Sequence, residues 1–202
     1  MKGKGFLKKN DLILIEINSK LIHLPMFRKS RFIGVFILIS LSFGFGLPKN
    51  VEKKVAKEVK KAFEIEVFEM EAILVSEELK TKLPCKLTTD NFYKLTNGNT
   101  LLGYAFVDQA PSKTAKFDYL VVFDNDLKVK HSKVLIYREE YGGEIGSKRW
   151  LKQFLGKTGG DRVDHETNID GIAGATISVR SMTNAMDDLL QTIEILQANK
   201  AL

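Results

Sequence analysis

The chain has 202 residues, of which 44% are hydrophobic and 28% charged, a composition that fits one globular domain and excludes wholesale disorder. The formal net charge is +6, but residues 1–47 account for all of it, with eight basic and two acidic side chains. Residues 48–202 carry 23 charges of each sign, so we predict no nucleic-acid binding by the folded part.

The N-terminus predicts export. Residues 1–31 form a basic leader, and residues 32–47 form an uncharged apolar run that follows three basic residues. A basic flank before an apolar run is typical of an export signal. The run suits a cleaved signal peptide or a short membrane anchor, with a buried core helix as the alternative. Because so long a leader is unusual, Met26 is a possible true start. We expect a protein of the cell envelope whose domain faces the periplasm, attached to the inner membrane or secreted if the signal is cleaved.

The segment after this run predicts a charged helix and then a domain. Val51, Val55, Val59 and Phe63 recur every four residues, which gives residues 49–63 a narrow apolar stripe. We interpret this helix as a stalk between the membrane and a domain formed by residues 64–202. The first residues of that domain, 64–71, alternate between polar and apolar and predict a strand.

The middle of the chain predicts two hairpins between helices. Strands at residues 92–95 and 101–107 flank Asn97-Gly98, and strands at 117–123 and 129–137 flank a second turn. Helices are expected at 147–155, with Ser147 as N-cap, and at 177–198. The predicted fold is therefore α+β, with antiparallel strands packed against helices in a single domain behind an N-terminal membrane-targeting segment.

Cysteine and histidine offer no metal centre. Cys85 is the only cysteine, so it can form neither an intramolecular disulfide nor a cysteine-based metal site. The three histidines, at positions 23, 131 and 165, lie far apart and show no ligand spacing. We predict no metal.

The candidate site is residues 170–176, which read DGIAGAT. Their small side chains let the backbone approach a ligand closely. A helix is predicted directly afterwards, and its free N–H groups and positive end favour an anion such as phosphate. Thr176, Ser178 and Thr183 carry hydroxyls that could contact a phosphate there, and Arg180 carries a guanidinium that could do the same. The alternative is a glycine-containing turn with Thr176 as an ordinary N-cap.

This run resembles the flavinylation motif of the FMN-binding domain family, which includes the FMN subunits of the Rnf complex and of the sodium-translocating NADH:quinone reductase. The family pattern is Asp, two variable residues, Ser or Thr, Gly, Ala, then Ser or Thr. In the family a flavin transferase joins the FMN phosphate to the last hydroxyl as a phosphoester. The resemblance implies covalent FMN on Thr176, with Asp170, Gly174 and Ala175 as recognition residues. Ala173 departs from the pattern, which has a hydroxyl there.

Residues 137–147 loosely resemble a Glu- and Gly-rich loop that lies near the flavin in this family. That resemblance implies Glu140, Gly142 and Gly143 as further cofactor-binding residues, together with Ser178. Trp150 and Phe154 have two interpretations, as side chains near the isoalloxazine ring or as core residues of an amphipathic helix. The cluster of Glu139, Glu140 and Glu144 is typical of a solvated surface.

The sequence shows no paired carboxylates, Ser-His-Asp set or Cys-His pair for substrate turnover. We therefore predict no catalytic residue and an electron carrier or redox-complex subunit rather than an enzyme with its own organic substrate. The implied partners are a flavin transferase, other electron-transfer proteins or a membrane redox complex, and the membrane itself through residues 32–47.

Two other functions stay open. One is a flavin-dependent reductase of a small extracytoplasmic substrate, with Arg138, Arg149 and His165 as candidate groups. The other is a non-redox exported binding module without flavin, which Ala173 leaves possible.

Overall fold

The computed structural model describes residues 46–202. The predicted leader, the possible start at Met26 and all but the last two residues of the apolar run 32–47 lie outside this range. Between residues 46 and 202, no helix has the length and apolar character needed to cross a membrane.

Five antiparallel strands form one sheet in chain order, so each strand pairs with the next along the chain. The strands are β1 (Glu69–Ala72), β2 (Phe92–Asn97), β3 (Thr100–Pro111), β4 (Lys116–Asp124) and β5 (Val129–Ile136). The helices are α1 (Lys49–Phe63), α2 (Glu77–Lys80), α3 (Lys148–Leu151) and α4 (Thr176–Ala198), with 3-10 helices at Gly143–Gly146 and Lys152–Phe154. This arrangement confirms the predicted α+β class.

Both predicted hairpins are present. In the first, Asn97 pairs with Thr100, and Gly98 between them has φ of 57°, a left-handed value that the first residue of such a tight loop requires. In the second, the Asp124 carboxylate accepts hydrogen bonds from the N–H groups of Asp126 at 3.0 Å and Lys128 at 2.9 Å. A turn aspartate of this kind satisfies backbone donors that the strands cannot reach.

Helix α4 covers one face of the sheet. Its buried stripe includes the predicted residues Met182, Met186, Leu189, Leu190 and Ile193. These side chains pack with the strand side chains of one face, among them Phe92, Phe106, Phe117, Tyr119, Val121 and Phe123. Burying so many large apolar groups together supplies the main favourable free energy of folding.

Helix α1 covers the opposite face. Val51, Val55 and Val59 are all at most 3% exposed. They pack against the alternate side chains of the same strands, which are Leu95, Ala105, Val107, Leu120, Val122 and Leu135. The helix thus forms where the sequence predicts it but lies against the sheet rather than standing clear of it as a stalk.

The strand predicted at residues 64–71 is displaced toward the C-terminus. Glu64 ends α1 in a left-handed conformation with φ of 56°, and the N–H of Ile65 still bonds to Lys60 O at 3.0 Å. Reversing the chain from α1 to the sheet therefore occupies residues 64–68, and pairing starts only at Glu69. The prediction of a strand was wrong for the first half of this segment, because the end of α1 determines the backbone conformation there.

We expect Val55→Ala to lower the free energy of unfolding by about 2 kcal/mol, because it removes fully buried methyl groups and leaves a cavity under α1. Denaturant unfolding can be followed by the fluorescence of Trp150, the only tryptophan, which is buried on the other face of the sheet. The exposed neighbour Lys57→Ala is the matched control and is expected to change stability little. A Val55→Ala protein as stable as the control would show that α1 is a stalk after all.

Candidate functional site

The motif 170–176 forms a tight turn that runs directly into α4. The Ala175 N–H donates to Ile172 O at 3.0 Å, and Gly174 has φ of 79°, as the third residue of a type II turn requires. Helix α4 starts at Thr176, and its N-cap is Ala175, which has no side-chain acceptor. The interpretation of Thr176 as an ordinary N-cap is therefore wrong. In the described part of the chain no side chain caps the first N–H groups of α4, and Thr176 is exposed beside them.

The backbone of Asp170 is clamped by the segment around α3. The Trp150 indole donates from Nε1 to Asp170 O at 2.7 Å, and the Asp170 N–H donates to Gln153 Oε1 at 2.8 Å. Both ends of the residue are held, while its side chain is exposed to solvent. The clamp fixes where the motif turn begins and leaves the Asp170 carboxylate available to another molecule.

Trp150 and Phe154 are core residues. They are 4% and 0% exposed, and their rings meet edge to face with centroids 5.2 Å apart at 82°. Of their two interpretations from the sequence, the structure supports the core one. It adds the bond from Trp150 to Asp170, which sequence reasoning missed because the partners are 20 residues apart.

The Glu- and Gly-rich loop packs directly on the motif. A Cβ added at Gly142 would lie 3.2 Å from Ala175 Cβ and 2.8 Å from the Tyr137 hydroxyl, and Gly142 has φ of 82°. Glycine is thus required at this position both by contact and by conformation. The structure brings the two segments that carry the resemblance into contact.

Tyr137 ties this loop to the first turn of α4. Its hydroxyl donates to Tyr141 O at 2.9 Å and lies 3.1 Å from Ser178 Oγ, so Ser178 acts as the donor in the second bond. Ser178 is only 3% exposed, which places its hydroxyl beneath the turn as a link between loop and helix. Tyr137 belongs to the loop identified from the sequence, but its linking role was missed because its partner Ser178 is 41 residues away.

Glu139 ties the same loop to the β3–β4 connection. Its Oε1 accepts hydrogen bonds from Ser112 Oγ at 2.6 Å, Thr114 N at 2.6 Å and Ala115 N at 3.1 Å. The hydrogen bond from the Ser112 hydroxyl, followed by that from the Thr114 amide, lowers the pKa of Glu139 from 4.5 to about 2. Glu139 is therefore a structural anchor, in contrast to the solvated surface expected for it.

Several other residues of the loop face solvent. Glu140, Gly143 and Glu144 are exposed, and Gly143 opens the 3-10 helix that buries Ile145 in the core. Tyr141, next to Gly142, is 80% exposed, which is unusual for an aromatic ring of this size. Ile177, next to Thr176, is 51% exposed. Two large apolar side chains thus lie exposed on the segments that meet at the start of α4.

Two of the three groups considered for a reductase are hydrogen-bonded within the domain. Arg138 donates to Lys116 O and to Asp118, whose carboxylate is buried. His165 accepts from Arg180 Nε at 2.9 Å. The Arg180 guanidinium, considered as a phosphate partner, is therefore directed to His165. Arg149 is exposed on α3.

We expect Tyr137→Phe to lower the free energy of unfolding by about 1 to 2 kcal/mol, because it leaves the Tyr141 carbonyl and Ser178 hydroxyl without their partner. Hydrogen exchange of residues 139–146 should accelerate as well. The control Tyr141→Phe removes an exposed hydroxyl and should change neither quantity. Equal behaviour of the two variants would contradict the linking role of Tyr137.

The pKa of Glu139 is lower in the folded chain than its ordinary value of 4.5, so its hydrogen bonds stabilise the loop fully above about pH 4.5. That stabilisation should be lost as the pH falls toward about 2, when the folded carboxylate takes up a proton. The amide proton shifts of Thr114 and Ala115, followed by NMR, should titrate with a midpoint near the pKa of about 2. Glu139→Gln should abolish the transition and Glu140→Gln should keep it. A midpoint near the ordinary pKa of 4.5 would contradict the anchoring role of Glu139.

Comparison with known protein families gives a match that covers this site. Residues 114–191 match the FMN-binding domain family, a range that contains β4, β5, the Glu- and Gly-rich loop, the motif turn and most of α4. A comparison with curated proteins finds no match. The family match confirms the resemblance seen in residues 170–176: residues 114–191 match an FMN-binding domain, which supports a flavin-binding protein.

Proposed function

We propose that the protein is an exported, membrane-attached electron-transfer flavoprotein that carries FMN covalently, through a phosphoester to Thr176. The observation that carries this proposal is the exposed Thr176 hydroxyl at the uncapped start of α4, within an FMN-binding domain. A hydroxyl in that position can be reached by a flavin transferase. Buried threonines such as Thr183 and Thr192 cannot.

The start of α4 suits a phosphate group. The first N–H groups of the helix have no side-chain cap, and the positive end of the helix dipole favours an anion beside them. Gly142 lets the loop backbone approach Ala175 without a side chain between them. Ala173 is exposed, so the hydroxyl missing from the family pattern would have faced solvent or the transferase rather than the core. The acceptor Thr176 is unaffected by that departure.

The exposed apolar groups beside Thr176 suit a flavin ring. Tyr141 and Ile177 belong to segments joined by the Tyr137 hydrogen bonds and lie next in sequence to Gly142 and Thr176. We assign them to contact the isoalloxazine, since an aromatic ring and an aliphatic chain both favour a flat apolar surface over water. FMN supplies the redox chemistry when bound, and the protein supplies its position and surroundings.

Several features favour an electron carrier over a reductase with its own substrate. Arg138 and His165, two of the three groups considered for a reductase, are hydrogen-bonded within the domain. A covalent link also keeps FMN on the protein when free flavin is scarce, whereas a reversibly bound cofactor would be lost outside the cytoplasm. Export and attachment through residues 32–47 complete the proposal, with a flavin transferase and other electron-transfer proteins as partners.

The test is to express the full chain together with a flavin transferase and examine it by in-gel ultraviolet fluorescence and intact mass. Wild type should fluoresce and gain the mass of one FMN less one water. Thr176→Val should do neither, because valine has no hydroxyl to esterify, and Thr176→Ser should keep both.

The matched control is Thr183→Val, which changes the same residue type two turns along α4. The Thr183 hydroxyl is buried and has no hydrogen-bond partner among residues 46–202, so its removal should leave flavin attachment and folding unchanged. Fluorescence that survives in Thr176→Val would move the attachment to another residue. A wild-type chain that stays dark would favour the non-redox binding module instead.

A further inference from the structure

The charge of the domain is concentrated on α1. Residues 49–63 contain six lysines and two glutamates, whereas residues 64–202 contain 17 basic and 21 acidic side chains. One helix is therefore strongly basic on a domain whose remainder is weakly acidic. Such a separation of charge gives the domain an electrostatically distinct side.

The lysines of α1 form a continuous outer face. With 3.6 residues per turn, Lys53, Lys57 and Lys61 fall opposite the buried stripe of Val51, Val55 and Val59. Five of the six lysines and no acidic residue occupy this outer side of the helix, whereas the sixth, Lys54, donates from Nζ to Leu135 O at 2.7 Å. Glu52 and Glu58 instead flank the buried stripe. We call the surface of Lys49, Lys53, Lys57, Lys60 and Lys61 the lysine face.

Most of this face is free of intramolecular charge pairing. Within residues 46–202, Lys53, Lys57 and Lys61 form no ion pair, and Lys60 has only Glu66 at 4.0 Å. Glu58 is turned inward, where it lies 2.9 Å from His131 Nε2. Within residues 46–202, the charges of Lys53, Lys57 and Lys61 therefore face outward outside any ion pair, and the nearby carboxylates of Glu64 and Glu66 lie past the end of the helix.

The lysine face continues into exposed apolar surface. Lys53, Lys57, Lys60 and Lys61 line an open groove of about 620 Å³, whose other wall is residues 64–66, with the carboxylates of Glu64 and Glu66. The next residue, Val67, is 71% exposed. Spread lysine charge beside an exposed apolar side chain is the composition of a surface that rests at a lipid interface.

We propose that the lysine face docks on an anionic lipid bilayer. Each lysine presents a compact charge on a long flexible stem, which suits a layer of distributed headgroup charges rather than one planar partner. The proposal rests on the membrane attachment proposed above, because α1 begins two residues after the run 32–47. Since α1 and α4 cover opposite faces of the sheet, docking turns the layer that bears Thr176 away from the bilayer.

The experiment uses the full chain in lipid nanodiscs of phosphatidylcholine alone, or with roughly 30% phosphatidylglycerol to supply negative surface charge. A short pulse of an amine-reactive reagent is followed by mass spectrometry of each lysine. Labelling of Lys53, Lys57 and Lys61 should fall at least about threefold in the anionic discs and recover at about 0.5 M salt, where charge attraction is screened. Three exposed lysines outside α1 serve as internal controls and should not change: Lys86, Lys94 and Lys113.

Equal labelling of the lysine face in both kinds of disc would overturn the proposal, as would protection that extends equally to the control lysines. A chain that does not stay in the discs through residues 32–47 still gives a result, because anionic discs added to the soluble chain should protect the same three lysines. Lys53→Gln, Lys57→Gln and Lys61→Gln combined should weaken that binding at least about tenfold, while the same changes at Lys86, Lys94 and Lys113 should not. In-gel flavin fluorescence is read separately, so a failure of docking is distinguishable from a failure of flavin attachment.

Discussion

Burial of the sheet on both faces is the constraint on which the rest of the structure depends. Strand β4 is almost entirely buried, with successive side chains alternating between the α4 core and the α1 core. Because one helix must cover each face, the outer surfaces of α1 and α4 are the ones left for partners. The lysine face and the exposed start of α4 are thus consequences of one packing arrangement, and they lie on opposite layers.

The start of α4 is held rigidly by its neighbours, but its N-cap residue, Ala175, has no side chain that can accept a hydrogen bond. An N-cap of Ala175 in place of Ser, Thr, Asp or Asn forgoes about 1 kcal/mol of helix stability. The surrounding contacts offset that loss, because Trp150 holds Asp170 and Tyr137 holds Ser178. A site that keeps its backbone donors free while its neighbours are fixed is suited to an anionic group, which then serves as the cap.

The sequence predicted the elements and the motif well but not the contacts between them. Periodicity located α4 and its buried face, and the resemblance of residues 170–176 to a flavinylation motif implied the candidate attachment residue. The links through Tyr137 and Glu139 could not be predicted, because each joins residues more than twenty positions apart that carry no local signal. The stripe on α1 indicated an apolar side without indicating what covers it, which is why a packed helix looked like a stalk. Propensity rules describe neighbours in sequence, whereas tertiary packing decides which surfaces meet.

The shape of the site explains why a covalent link would matter under the proposed function. Among the described residues 46–202, Tyr141 and Ile177 are the large exposed apolar side chains on the segments that meet at the start of α4, and ligand pockets that retain a cofactor by contact alone bury most of its surface. A ring resting on two side chains would dissociate readily without a bond to its phosphate. The same openness leaves the ring accessible to a redox partner. A ring held by few contacts and one covalent bond is therefore suited to electron transfer. The rigid links of Tyr137 and Glu139 then serve to hold the supporting loop in place rather than to enclose the cofactor.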